Sequence, residues 1–242
     1  MEKPAFPILM YHSISKMPRG TLMRSLHISP RRFVLQMYLL KILGYRGVSI
    51  SELHLQMKSS KAEKVIGITF DDGYKNNLHN ALPILKKLGF TATIYLVSQN
   101  ISGSNKWDND KGITKQKMLN ENDINKWIKN GMEIGSHTRN HTDLLNCNKE
   151  IAKQEIIKSK SDLEERFKIP INHFCYPYGN FNDDIINLTK EAGYHSATTT
   201  NRGIASNTSD VLALPRIQIT YYTLPHLFLL KILTKYEDRR NK

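Results

Sequence analysis

The chain has 242 residues, of which 40% are hydrophobic and 24% charged, a balance that excludes a disordered, collagenous or membrane-bundle protein. Such a length buries enough surface to fold without disulfides, and two cysteines, Cys147 and Cys175, are too few for a disulfide scaffold and too far apart for a zinc ribbon. Thirty-five Lys and Arg against 22 Asp and Glu leave a formal charge of +13, which favours anionic partners such as phosphates, acidic glycans or an anionic membrane face, with a solvated basic surface that has no specific partner as the plain alternative.

No repeat, low-complexity tract or Pro/Gly-rich linker divides the sequence, so residues 1–242 are expected to form one domain. Pro7 to His12 reads as a buried strand. Ser29-Pro30 opens a helix in which Phe33, Met37, Leu40 and Leu43 recur at helical spacing, and Gly44 ends it. Val65 to Phe70 is a second strand. Leu78, Leu82, Leu85 and Leu88 line one face of a helix over Tyr74 to Leu88 that Gly89 closes. Thr91 to Val97 is a β-branched strand, followed by a polar loop through Trp107. A short helix over Glu121 to Asn130, a strand over Met132 to Ser136 and a long helix over Lys149 to Phe167 come next. His173 to Tyr176, Asp183 to Ala192, His195 to Thr200 and Arg216 to Thr220 continue the alternation, which predicts a parallel α/β fold, sheet or barrel. In a parallel barrel, chemistry collects on the loops after the carboxyl ends of the strands.

Three clusters fall there. Thr69-Phe-Asp-Asp-Gly73 places Asp71 and Asp72 together, and two adjacent carboxylates converge only if the backbone turns, which Gly73 permits. Capping of the next helix is the plain alternative. His137-Thr-Arg-Asn-His141 puts two imidazoles at the spacing of one helical turn, able to grip one ion. Asp plus two His is an O,N,N set that leaves a place for water, as in catalytic zinc sites; exposed histidines are the alternative. Phe174-Cys-Tyr-Pro-Tyr-Gly179 offers a stiff turn whose main-chain N–H could face a substrate oxygen, or merely a turn.

At these residues the sequence resembles the NodB-like polysaccharide deacetylases, carbohydrate esterase family four, and its opening is similar to the branch containing poly-N-acetylglucosamine deacetylases. TFDDG stands at Thr69 to Gly73, H-[ST]-x-x-H at His137 to His141, and a relaxed R-x-P-Y at Cys175 to Tyr178. The resemblance implies a deformed (β/α) barrel of about seven parallel strands that hydrolyses an acetyl group from an N-acetylated sugar in a glycan or glycan precursor. It also implies Asp71 as general base, with Asp72, His137 and His141 holding a divalent ion, zinc by default and cobalt, nickel or iron as fits. The oxyanion would rest on the ion and the Tyr178 N–H. Cys175 replaces the arginine that usually orients the base. Arg216 is the candidate substitute, with a purely structural arginine as the alternative. For the acid, His12 at the first strand's exit is preferred over His226 in Leu224-Pro-His226.

Residues 1–50 hold eight basic side chains (Lys3, Lys16, Arg19, Arg24, Arg31, Arg32, Lys41, Arg46) against Glu2, and the chain ends on Lys231, Lys235, Arg239, Arg240 and Lys242 against Glu237 and Asp238. Residues 221–242 read as a basic amphipathic segment in which Leu224, Leu227, Leu230 and Ile232 form an apolar face rimmed by Lys231 and Lys235. That segment suggests a variant: a membrane-peripheral deacetylase of a lipid-linked sugar. A helix packed on the barrel is the simpler reading. The absence of a secretory pattern around Pro4 and Pro7, and of any span of about 18 apolar residues, predicts a cytoplasmic chain, at most peripheral to the inner membrane face. A non-catalytic glycan-binding barrel is the reading from another class. No nucleic-acid partner is expected, since no zinc finger, basic zipper or RNA-binding signature occurs.

Overall fold

The structure, a computed structural model, describes residues 5–59 and 63–240; the basic positions Lys3 and Lys242, with Glu2 and Pro4, lie outside the described residues. Ile8–Tyr11, Val65–Phe70, Thr93–Leu96, Glu133–Ser136, His173–Cys175, Ser196–Arg202 and Leu214–Gln218 form a parallel sheet. It closes because Ile8–Tyr11 pairs on one edge with Val65–Phe70 and on the other with Leu214–Gln218. The result is the deformed seven-stranded (β/α) barrel that the motifs imply.

Several short elements escaped the sequence reading, and two of them shape the barrel. Arg46–Val48 is a short strand beside the first half of Val65–Phe70, and Ile50–Lys58 is a helix. Gly67 pairs with Ile8 on one edge and Val48 on the other, while Thr93–Leu96 joins only from Thr69 onward. This extra strand wedges into the lower part of the ring and deforms it. Gly47 is what lets it fit: a Cβ there would lie 2.6 Å from both Ile68 Cδ1 and the Phe90 ring.

The helix expected over Tyr74 to Leu88 is two, Asn76–Asn80 and Leu82–Leu88. Pro83 has no N–H to give the carbonyl one turn back, and its ring crowds that turn, so the chain breaks at Ala81 and restarts with Pro83 in its first turn. The terminal segment packs on the barrel, as its simpler reading has it, and not as a membrane-facing face. Pro225–Leu233 is a helix whose Phe228 and Ile232 pack inward. Lys231 is buried, donating to Gln218 O at 3.0 Å and to the Glu237 carboxylate. A lysine satisfied inside cannot rim a membrane-facing surface, and the predicted face is split, with Leu224 and Leu230 outside and Ile232 inside.

Strand parity then sorts the side chains. Ile66, Ile68 and Phe70 face the helical layer, as do Leu9 and Tyr11, Phe174 and Tyr176, Ile217 and Ile219. Their alternates Ile8, Val65, Tyr95, Cys175 and Leu214 pack inside the ring. Counting on by twos, His12, Asp71, His137 and Arg216 belong to the inner set, at its carboxyl-terminal mouth.

Candidate active site

Arg216 is fully buried among the inner residues, and all five of its N–H donors are used. Nε donates to Thr199 O at 2.8 Å and Nη1 to Thr69 Oγ1 at 3.0 Å. Nη1 and Nη2 then grip Asp71 Oδ1 and Oδ2, each at 2.7 Å, and Nη2 reaches Cys175 Sγ at 3.2 Å. Burial alone would raise the Asp71 carboxyl, but this guanidinium outweighs it and holds the group below the ordinary carboxylate range. His12, also on the inner face, brings Nε2 to 3.9 Å from Asp71 Oδ2.

Asp72 would point outward by parity. Its left-handed backbone, φ 72°, followed by Gly73 at φ 80°, turns the carboxylate into the mouth instead of capping a helix. Asp72 Oδ1 lies 3.4 Å from His137 Nε2 and 3.3 Å from His141 Nε2. The two histidines are not on a helix: residues 137–141 are a loop with Thr138 at φ 64° and His141 at φ 61°. Glu155, on the helix Lys149–Phe167, holds that loop by accepting the N–H groups of Arg139 and Asn140 at 2.9 and 2.8 Å.

The donor chemistry of this trio fits a divalent ion. His137 Nδ1 lies 2.7 Å from Cys175 O, which can only accept, so Nδ1 carries the hydrogen and Nε2 keeps a lone pair toward Asp72. His141 Nδ1 is likewise engaged, 3.1 Å from Tyr178 Oη. Burial opposes charge on Asp72, yet its bonds to the two histidines hold its pKa well below the usual value, so the carboxylate is the form at hand. Asp71, His137 and Cys175 also converge, but both Asp71 oxygens already belong to Arg216, and a cation pressed against that guanidinium would be repelled.

Above these groups is a cavity of about 190 Å³ whose rim includes Met23, Leu26, Trp107 and Tyr178. Tyr178 adopts φ 60°, and the next residue must be glycine, since a Cβ at Gly179 would lie 1.9 Å from Thr200 Oγ1. Trp107 stacks on His141 with centroids 4.6 Å apart. Asp108 beside it is pushed up to about 6 by burial and by Asp72. The sequence offered no motif for Trp107, Asp108 or Glu155. His226 is exposed on the terminal helix and does not line the cavity.

Comparison with known proteins followed the same line. The family described as polysaccharide deacetylase matches residues 58–197. YxkH of Bacillus subtilis, assigned to the polysaccharide deacetylases, is 32% identical over 222 residues, 90% of this chain and 73% of the relative. The poly-beta-1,6-N-acetyl-D-glucosamine N-deacetylase of Staphylococcus aureus is 26% identical over 211 residues, 83% and 70% of the two chains. Among solved structures, the Streptococcus pyogenes deacetylase PplD in complex with acetate superposes with a TM-score of 0.82 at 29% identity, over 95% of this chain and 99% of that one.

Proposed function

Because the chain belongs to the polysaccharide deacetylase family, we propose that residues 1–242 act as one catalytic domain, a metal-dependent hydrolase that removes acetyl groups from an N-acetylated glycan. The observation that carries this reading is the meeting of an ion-binding trio, Asp72, His137 and His141, with a carboxylate held ionised by Arg216 in one cavity. A barrel kept only for binding glycans has no use for two ionised carboxylates in a buried mouth, where desolvation is costly.

In the reaction, water adds to the amide carbonyl, the C–N bond breaks, and acetate and a free sugar amine leave. The ion supplies Lewis acidity at the carbonyl and lowers the pKa of water, and zinc is our choice from the O,N,N donors. Asp71 accepts the proton of the attacking water. Arg216 aims that carboxylate and keeps it ionised, the task the usual arginine of the third motif would perform. The Tyr178 N–H, in its left-handed turn, is the main-chain donor for the developing oxyanion. His12, with Nε2 3.9 Å from Asp71 Oδ2, gives a proton to the departing nitrogen.

Acetate release from N-acetylglucosamine oligomers, with and without chelator, tests the reading. Asp71→Asn should retain the ion while losing about 10²–10⁴ of the rate. Hydrolysis that survives this change would show the base to be elsewhere; oligomer binding with no hydrolysis by the metal-loaded wild type would leave only a glycan-binding barrel. Among the described residues no helix is long and apolar enough to cross a membrane.

A further inference from the structure

Exposed basic side chains lie on several faces of the barrel, Lys86, Lys87 and Lys126 around a groove of their own among them. What distinguishes the mouth is that its share of this charge adjoins the reaction centre. Loops 12–26 and 97–119 together hold seven basic residues against two acids, Asp108 and Asp110. They are joined, Leu22 N–H donating to Gly112 O at 2.9 Å, and so form one continuous side of the catalytic cavity. Lys16, Arg19, Arg24, Lys106, Lys115 and Lys117 are exposed, and none has an acidic partner within 4 Å among the described residues. Lys111 reaches into the cavity itself, over the Tyr178 ring.

This side also has a shape to bind with. A groove of about 710 Å³ runs along it, lined by Lys115, Lys117, Ser102, Ser104, Asn120 and Lys75, the last already paired with Asp123 at 2.8 Å. It adjoins the reaction centre: Lys75 N–H bonds Lys117 O at 3.0 Å, and Leu119 N–H bonds Gly73 O at 2.9 Å, next to Asp72. We infer that this groove binds negatively charged groups, phosphate or carboxylate, carried on the glycan beside the acetylated sugar, so that the preferred substrate is an anionic glycan. The inference rests on the deacetylase reading and adds the substrate's charge.

The chemistry of the product argues the same way. Each turnover converts a neutral amide into an amine that takes up a proton near neutral pH. A neutral homopolymer therefore becomes a polycation as it is processed, and the basic rim repels it. A glycan with its own negative charges stays attracted.

The test compares kcat/KM for two N-acetylated oligosaccharides of equal length, one neutral and one bearing phosphate or carboxylate groups. The anionic substrate should be favoured by about tenfold at low salt, and the preference should shrink as the screening length falls. Lys115→Gln/Lys117→Gln should cut that ratio severalfold. Lys153→Gln/Lys158→Gln, which removes equal charge from the exposed side of the helix Lys149–Phe167, should leave it in place. Equal kcat/KM for the two substrates, or a preference that both double variants reduce alike, overturns the inference. Direct titration of the metal-loaded Asp71→Asn protein with each oligosaccharide separates the two readings. Selective anionic binding without turnover by the wild type sinks the deacetylase and keeps the groove. Equal binding of both sinks the groove, and so does binding to anionic vesicles with no selectivity among soluble glycans.

Discussion

Asp71 and Arg216 are 145 positions apart in the chain and form one bidentate pair in the barrel mouth. The carboxylate's depressed pKa comes from this partner, against the pull of burial. Replacing Arg216 with Met removes the main opposition to burial, leaving only the weaker pull of His12 and His137, so the Asp71 pKa should rise. The acid limb of the kcat/KM–pH profile then moves to higher pH. Losing one partner of a buried pair should also cost about 3–5 kcal/mol of stability, read from denaturant unfolding. If the variant folds and its acid limb stays put, Arg216 does not set the base. Asp71 and Asp72 stood out in the sequence as two carboxylates at a strand's end, but helix capping explained the run as plainly until the family resemblance gave it a role. Arg216 was legible only as a vacancy elsewhere: with Cys175 where an arginine was expected, some other cation had to reach Asp71.

The loop that carries His137 and His141 shows where local reading stops. A four-residue spacing suggests a helical turn, but the segment is a loop with left-handed backbone at Thr138 and His141, conformations that non-glycine residues enter only when surroundings compel them. The surroundings here are Glu155. Its carboxylate satisfies two loop N–H groups and the Asn140 side chain, at 2.7–2.9 Å. No spacing rule connects a mid-helix glutamate to an earlier loop, which is why the sequence did not disclose it. Glu155→Ala should weaken zinc affinity by about 10–100-fold, the usual cost of losing a group that orients ligands. Glu155→Gln keeps one oxygen to accept the loop N–H groups and should recover part of it. Competition with a chromophoric chelator reads both; unchanged affinity in the alanine variant would mean the loop holds its shape unaided.

Ring closure is the feature on which both pairs depend, and it was legible as alternation but not as neighbourhood. Strand–helix repetition pointed to a parallel sheet or barrel, and only the family resemblance chose the barrel; which strands meet at the seam, and the wedge Arg46–Val48, lie below the resolution of a periodicity argument. The end of the barrel opposite the mouth has a polar cluster of its own. His173 Nε2 lies 2.8 Å from Ser51 Oγ and 3.5 Å from Glu133 Oε1, and Nδ1 lies 2.8 Å from Ser196 Oγ. Burial, opposed in part by Glu133, lowers the His173 pKa to about 4, and burial with His12 nearby lowers His27 to about 4 as well. Unfolded, each takes up its proton near pH 6.5, so between those values the unfolded chain binds more protons than the folded one. The contribution of these two imidazoles is therefore complete above about pH 6.5 and drains away as pH falls toward 4, by about 3 kcal/mol for His173 alone, while Asp108, raised to about 6, works in the opposite direction over the same range. The depressed carboxylates Asp71 and Asp72 act in a lower window, since they lose their contribution only as pH drops below the ordinary carboxylate value. Protons also compete with any ion on His137 and His141 in the upper window, so the comparison must be made with chelator present. Under those conditions the wild type should lose more thermal stability between pH 6.5 and 4 than His173→Gln, which has no proton to gain there; equal changes would mean that the buried imidazole is not the group being titrated.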